Sequence, residues 1–151
     1  MIVDDNETTF NWSLTDRTLV DISTRFIDDI KVVTTNEDVE EITNDQFMYG
    51  NGNVAVNNGY IYGNGDVTYN NSFVYGNGNV TNNYNDGWVY GNGNVEINKG
   101  VVYGNGDVQI NDHSGYVDGN RTIVDNYGTH SDTVDVEHEH NPDYPGYEPD
   151  P

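Results

Sequence analysis

Five times between Tyr49 and Val108 the chain repeats one phrase, Tyr-Gly-Asn-Gly-(Asn or Asp)-Val. Its copies are headed by Tyr49, Tyr62, Tyr75, Tyr90 and Tyr103, at separations of 13, 13, 15 and 13 residues. A degenerate sixth copy, Asp118-Gly119-Asn120-Arg121-Thr122-Ile123, follows 15 residues on. A fixed period constrains the fold more than local propensity does, because every copy must take up the same local structure and the copies must pack on one another. Both 15-residue units carry their two extra residues between the short apolar stretch and the next aromatic residue, as Tyr84 to Trp88 shows against Asn58 to Tyr60. Length variation confined to one point identifies that point as a loop.

Each unit holds two stretches that alternate with period two, the signature of strands with one face inward. The first reads Val54-Ala55-Val56, then Val67-Thr68-Tyr69, Val80-Thr81-Asn82, Val95-Glu96-Ile97 and Val108-Gln109-Ile110, so the outer residues of each triplet are expected on one face. The second reads Tyr60-Ile61-Tyr62, Phe73-Val74-Tyr75, Trp88-Val89-Tyr90, Val101-Val102-Tyr103 and Tyr116-Val117-Asp118, with the aliphatic residue in the middle. Helix is excluded, since Gly recurs too often and Asn-Gly steps favour positive φ. The expected fold is all-β: a short-repeat β-solenoid, or β-helix, of 13–15-residue units. Each unit or pair of units closes one coil, Val54 and Ile61 face each other inside, and identical positions stack about 4.8 Å apart. An antiparallel meander and an intertwined trimeric β-structure are the alternatives. The solenoid makes more of the identity between units, because Val over Val and Asn over Asn form ladders only when like sits on like. The Gly-Asn-Gly turn needs no ligand to explain it: both residue types tolerate left-handed dihedrals, and an Asn side chain can bond its own turn.

Residues 1–45 do not share the period and are expected to cap or attach one end of a repeat body at 46–128. Thr35 to Thr43 is read as a short capped helical turn or a strand end. The opposite end is expected to be covered by Arg121 to His140. The remainder of the acidic C-terminal segment, 129–151, ends in Asn-Pro-Asp-Tyr-Pro-Gly-Tyr-Glu-Pro-Asp-Pro, whose prolines favour an extended arm.

Charge narrows the partners. With 26 acidic residues against 5 basic ones, a formal net charge of -21, the chain repels nucleic-acid backbones and anionic membrane surfaces, so neither is expected as a partner. There is no cysteine, which removes thiolate sites and disulfides. No run approaches the roughly 18 apolar residues of a membrane helix, and the first ten residues lack the basic start and apolar centre of a secretory signal.

Several residue groups are candidates for chemistry. Gly63, Gly65 and Asp66, and again Gly104, Gly106 and Asp107, resemble part of the glycine- and aspartate-rich nonapeptide of RTX calcium β-rolls, which implies calcium held at Asp66 and Asp107. Here the period is 13, and Asn53, Asn79 and Asn94 stand at the same position in other units. An Asn carbonyl ligates calcium without supplying charge. His138 and His140 lie two apart, on one side of an extended chain. The pair resembles the His-x-His iron site near the apex of trimeric phage membrane-piercing spikes, in which three chains supply six nitrogens to a transition metal. A solvated tail and an uncharged turn ladder are the plainer readings, with no cofactor. His113-Ser114 and His130-Ser131-Asp132 are sequence neighbours, whereas catalytic triads are assembled from distant positions, so no enzyme is expected.

The aromatic residues carry more information. With Val and Ile inward, Tyr60, Tyr62, Phe73, Tyr75, Trp88, Tyr90, Tyr103 and Tyr116 share the opposite face as a long apolar stripe, a feature that marks an interface. It would bury its rings against sister chains, stack on the flat faces of sugars, or fill solenoid corners. Tyr144 and Tyr147, between acids and prolines, suit an arm that docks in a partner's groove.

Taken together, the repeat body, flanking segments, acidity and lack of cysteine resemble the small capsid decoration (cement) or spike proteins of tailed phages. That resemblance implies a structural, homotrimeric protein on a virion surface, bound to the major capsid or another virion protein through its non-repeating segments. The alternative is an extracellular glycan-binding adhesin that uses the aromatic stripe.

Overall fold

A computed structural model describes residues 31–147 and 149. Residues 1–30, which hold most of the expected N-terminal cap, and residues 148, 150 and 151 of the arm lie outside the described residues.

The described chain is an all-β solenoid of eight coils of about 13 residues, with two short strands in each coil and no helix among the described residues. The first strands of the coils are β1 (Lys31–Thr34), β3 (Gln46–Tyr49), β5 (Tyr60–Tyr62), β7 (Phe73–Tyr75), β9 (Trp88–Gly91), β11 (Val101–Gly104), β13 (Tyr116–Asp118) and β15 (Thr129–His130). The second strands are β2 (Val39–Ile42), β4 (Val54–Asn57), β6 (Val67–Asn70), β8 (Val80–Asn83), β10 (Val95–Asn98), β12 (Val108–Asn111), β14 (Thr122–Asn126) and β16 (Asp135–Glu139). All odd strands form one eight-stranded sheet in sequence order, and all even strands form the other. Pairing is parallel from β3 to β15 and from β2 to β16, which rules out the antiparallel meander. One repeat unit closes one coil, so equivalent positions of successive units fall on one another, Val54 on Val67 and Asn57 on Asn70.

Two aliphatic columns fill the narrow space between the sheets. Val54, Val67, Val80, Val95, Val108 and Ile123 stack from the even sheet, and Met48, Ile61, Val74, Val89, Val102 and Val117 from the odd sheet, all essentially inaccessible to solvent. Val54 and Ile61 both lie inside, as expected.

The first triplet, however, breaks its period. Val54 is buried, Ala55 and Val56 are not, and Asn57 is buried. The same holds at Val67-Thr68-Tyr69-Asn70, where Tyr69 is exposed and Asn70 is fully inside. Two successive outward residues mark the start of the corner, and the asparagine turns in because the corner uses both ends of its amide. Asn57 Oδ1 accepts from the Gly59 backbone N–H at 3.0 Å while its Nδ2 donates to Asn70 Oδ1 in the next coil at 2.7 Å. The same side-chain bond recurs from Asn70 to Asn83 to Asn98 to Asn111 to Asn126 at 2.7–2.8 Å. The file ends at Glu139, whose Oε1 accepts from Asn126 at 2.8 Å.

The glycines also have a different reason from the one expected. Among the described residues only Gly50, Gly104, Gly119 and Gly146 have positive φ. Elsewhere in the turns the constraint is axial. A Cβ at Gly76 would sit 1.5 Å from the carbonyl oxygen of Gly63 in the preceding coil, and one at Gly65 would sit 2.0 Å from that of Gly52. In these central coils, stacked at strand spacing, a side chain at Gly65 or Gly76 would meet the backbone below.

The coil stack extends beyond the expected 46–128 body at both ends. Val39-Glu40-Glu41-Ile42 is a strand in register with Val54 to Asn57, not a helical turn, and Asp135–Glu139 pairs with β14. Nor does the start of the expected arm run outward. Pro142 and Pro145 sit in turns, Tyr144 stacks on His130 with ring centroids 4.2 Å apart, its hydroxyl bonds the His130 backbone, and Tyr147 bridges to Glu139. Residues 141–147 thereby cover part of the last coil. At the corner position held by Gly106 and its equivalents, the last two coils carry Arg121 and Val134, both buried. The Arg121 guanidinium donates to the carbonyls of Gly91, Tyr103 and Gly106, and burial pushes its pKa down to about 10.

Candidate functional site: an aromatic sheet face

The outer face of the odd sheet gathers the candidate aromatic residues. Each odd strand from β3 to β13 puts its central aliphatic residue in the core, so its two flanking residues must point outward. Parallel register then builds two columns. One runs Phe47, Tyr60, Phe73, Trp88, Val101 and Tyr116, and the other runs Tyr49, Tyr62, Tyr75, Tyr90, Tyr103 and Asp118. All eight expected stripe residues are brought onto this face. Phe47 and Tyr49, which the stripe as read from sequence lacked, open the two columns. Their signal was present: Phe47-Met48-Tyr49 has the same aromatic, aliphatic, tyrosine order as Phe73-Val74-Tyr75.

The rings touch one another along the whole face. Phe47 and Tyr60 stack with centroids 4.6 Å apart and planes 10° apart, Tyr49 and Tyr62 at 5.2 Å and 11°, and Tyr90 and Tyr103 at 4.8 Å and 16°. Phe73 ties the columns together, lying 6.0 Å from Tyr62 and 5.6 Å from Tyr90. Tyr75 differs from its neighbours. It meets Tyr62 and Tyr90 nearly edge-on, at 63° and 66°, and is the most exposed ring at 57%. At the far end Tyr116 sits 6.3 Å from Tyr103, and burial raises its phenol pKa above the ordinary tyrosine value. No charged residue lies on β3, β5, β7, β9 or β11. On a chain of net charge -21 this face is a neutral strip from β3 to β11, ending at Asp118 on β13, while Glu40, Glu41, Glu96 and Asp125 lie on strands of the other sheet. Aromatic contacts of this geometry contribute about 0.5–1.5 kcal/mol per pair beyond area burial.

The other candidates are placed as follows. Asp66 and Asp107 lie in one axial file with Asp38, Asn53, Asn79 and Asn94. Each side-chain oxygen accepts the backbone N–H of the next residue in the file, for example Asn79 N–H to Asp66 Oδ1 at 2.8 Å and Asp107 N–H to Asn94 Oδ1 at 2.8 Å. Asp and Asn are interchangeable for that bond, which accounts for their alternation without reference to charge. Among the described residues no group of three or more His, Cys, Asp or Glu side chains is arranged to hold a metal ion. His138 is exposed, Glu139 points inward, and His140 stacks on Tyr127 at 4.4 Å with Nε2 3.4 Å from Asp125 Oδ1.

The histidine–serine pairs do not form relays. Ser114 Oγ donates to the Lys99 carbonyl, and Ser131 Oγ donates to Asp118 Oδ1 at 2.6 Å, while His130 Nε2 lies 3.2 Å from Glu139 Oε2. The hydrogen bond with the His113 side chain holds Asp112 below the usual carboxylate range. Over the even sheet one groove is lined by Thr81, Asn94, Glu96 and Gln109 among others. The chain matches no protein-family model, no curated protein and no solved structure.

Proposed function

We propose that this chain is a structural, non-catalytic repeat protein that joins a larger assembly by burying its aromatic face against sister chains. The capsid-decoration or spike role on a virion surface, with a homotrimer bound to a shell protein, is the specific form of that reading. The observation that carries it is the uncharged face of touching rings on an otherwise strongly acidic molecule. Like-charged copies repel wherever their acidic surfaces meet, and this strip is where they can approach without opposing carboxylates. Three ring pairs, Phe47–Tyr60, Tyr49–Tyr62 and Tyr90–Tyr103, stack face to face between adjacent coils, and tyrosine-rich surfaces of this kind suit packing between protein surfaces.

Light scattering on the full chain, alone and mixed with candidate shell proteins, tests this reading. The wild type is expected to run as an oligomer, and the double variant Tyr75→Ser, Trp88→Ser to shift toward the monomer with an unchanged far-UV spectrum. A wild-type monomer that associates with no shell protein sinks the proposal.

One observation favours the glycan reading as a second possibility. Tyr75, edge-on to both neighbours and largely exposed, presents an open ring face, and Trp88 in the next coil is 42% exposed. Quenching of the Trp fluorescence by neutral polysaccharides, lost in Tyr75→Ser, would support that reading over self-association.

A further inference from the structure

We propose that the tyrosine column Tyr49–Tyr62–Tyr75–Tyr90–Tyr103 is a site of oxidative cross-linking, where one-electron oxidation of the aromatic face ends in Tyr–Tyr bonds between neighbouring coils. The bonds form at Tyr49–Tyr62 and Tyr90–Tyr103. The inference concerns a single chain and does not depend on what covers the face.

Three observations carry it. First, the rings form one unbroken path, with steps of 5.2, 6.0, 6.3 and 4.8 Å along the tyrosine column and Trp88 at 6.3 and 6.2 Å from Tyr90 and Tyr103. Indole and phenol groups are the readily oxidised side chains of a protein without cysteine, and Met48 beneath the face is fully buried. An electron vacancy created at any exposed ring is therefore passed along the path instead of being confined where it arose. Second, radicals couple where two phenols are closest and most nearly parallel. Tyr49–Tyr62 and Tyr90–Tyr103 satisfy this, at 11° and 16°, whereas the intervening tyrosine pairs are edge-on. Third, in-register strands hold each pair at adjacent backbone positions, so coupling requires no sliding of one coil past another.

The chemistry balances with a one-electron oxidant of the peroxidase or metal(III) polypyridyl class. Each phenol gives one electron to the oxidant and its O–H proton to water, leaving a phenoxyl radical with spin on the ortho carbons. Two such radicals join through an ortho–ortho C–C bond. The ortho hydrogens then leave as protons, and protons return to the oxygens to restore both phenols. In net terms two C–H bonds are replaced by one C–C bond, with two electrons passing to the oxidant and two protons to water.

The structure supplies an internal comparison. Tyr69, on β6 of the even sheet, stacks on Tyr84 at 6.1 Å and 7°. The experiment is photo-oxidation of the dilute full chain by a ruthenium polypyridyl with persulfate, followed by peptide mass spectrometry and dityrosine fluorescence. Cross-links 49–62 and 90–103 within one chain are expected, in higher yield than 69–84. Each is expected to be lost in the variant Tyr62→Phe or Tyr103→Phe, which keeps the stacked ring but removes the phenol. Coupling confined to Tyr69–Tyr84 or to bonds between molecules, with the column pairs unlinked, overturns the proposal. So does persistence of the 49–62 and 90–103 bonds in the phenylalanine variants.

Discussion

At the scale of single residues, the buried asparagine file is the most demanding feature of the molecule. Each amide must both accept and donate: Asn83 Oδ1 accepts from Asn70, and its Nδ2 donates to Asn98 Oδ1 and to the Gly87 carbonyl. The ends of the file obey the same logic. Glu139 follows the last amide donor and needs only to accept, and Ile42 stands under Asn57, where no donor is supplied. Asn83→Leu should therefore leave Asn70 Nδ2 and Asn98 Oδ1 without this axial partner and destabilise the fold by roughly 2–6 kcal/mol, about 1–3 for each buried group. Asn83→Asp should cost more at neutral pH, because an ionised carboxylate still accepts from Asn70 but offers Asn98 no donor. Burial raises that carboxyl's pKa above the ordinary ~3.9, so its neutral form returns as pH falls and restores one donor. Urea melts at pH 7 and pH 4 should show the gap between this variant and wild type narrowing in acid. A gap that widens in acid would remove the argument.

At the scale of the element, the turn is set by what lies one coil below it. The carbonyl of Gly52 occupies the space a Cβ on Gly65 would need, 2.0 Å away, and that oxygen belongs to backbone that cannot swing aside. Gly65→Ala should consequently destabilise by more than ~1 kcal/mol, the reverse of the gain this exchange brings at an unstrained site. Thermal melts of the variant would show it, and an unchanged midpoint would mean that the coils can spread.

Turns and strands were legible in the sequence to different degrees, for physical reasons. The Val and Ile columns and the aromatic face could be read, because one-residue alternation around Ile61 or Val74 assigns each neighbour to a face. The asparagines could not, because period two sends Val56 and Tyr69 inward and only the corner reverses them. The first and last coils were also hidden. Val39-Glu40-Glu41-Ile42 and Asp135-Val136-Glu137-His138-Glu139 carry the strand but not the Gly-Asn-Gly turn by which the period is recognised. The candidate interface was visible as a stripe. Its neutrality within a highly acidic chain, and the missing Phe47 and Tyr49, emerged once register placed them in columns.

At the scale of the whole described molecule, contacts run almost entirely between adjacent coils. Each strand pairs only with the strand one coil before and one coil after, and through the central coils valine stacks on valine and asparagine on asparagine. Stability in such a stack is close to a sum of coil terms and neighbour terms, so length is adjustable but phase is not. Deleting residues 64–76 joins Gly63 to Asn77 and removes one 13-residue period while leaving the phrase Tyr-Gly-Asn-Gly intact. The seven-coil product should fold with the same far-UV spectrum. Its dependence on urea should fall by roughly one part in eight, since that slope follows the surface exposed on unfolding. Deleting only residues 64–70 removes half a coil, brings aromatic positions over aliphatic ones and breaks both the valine and asparagine files, so the product should not fold. If the half-coil deletion melts as cooperatively as the full-coil one, the coils are not held by like-on-like stacking, and the reading of the repeat as scaffold fails with it.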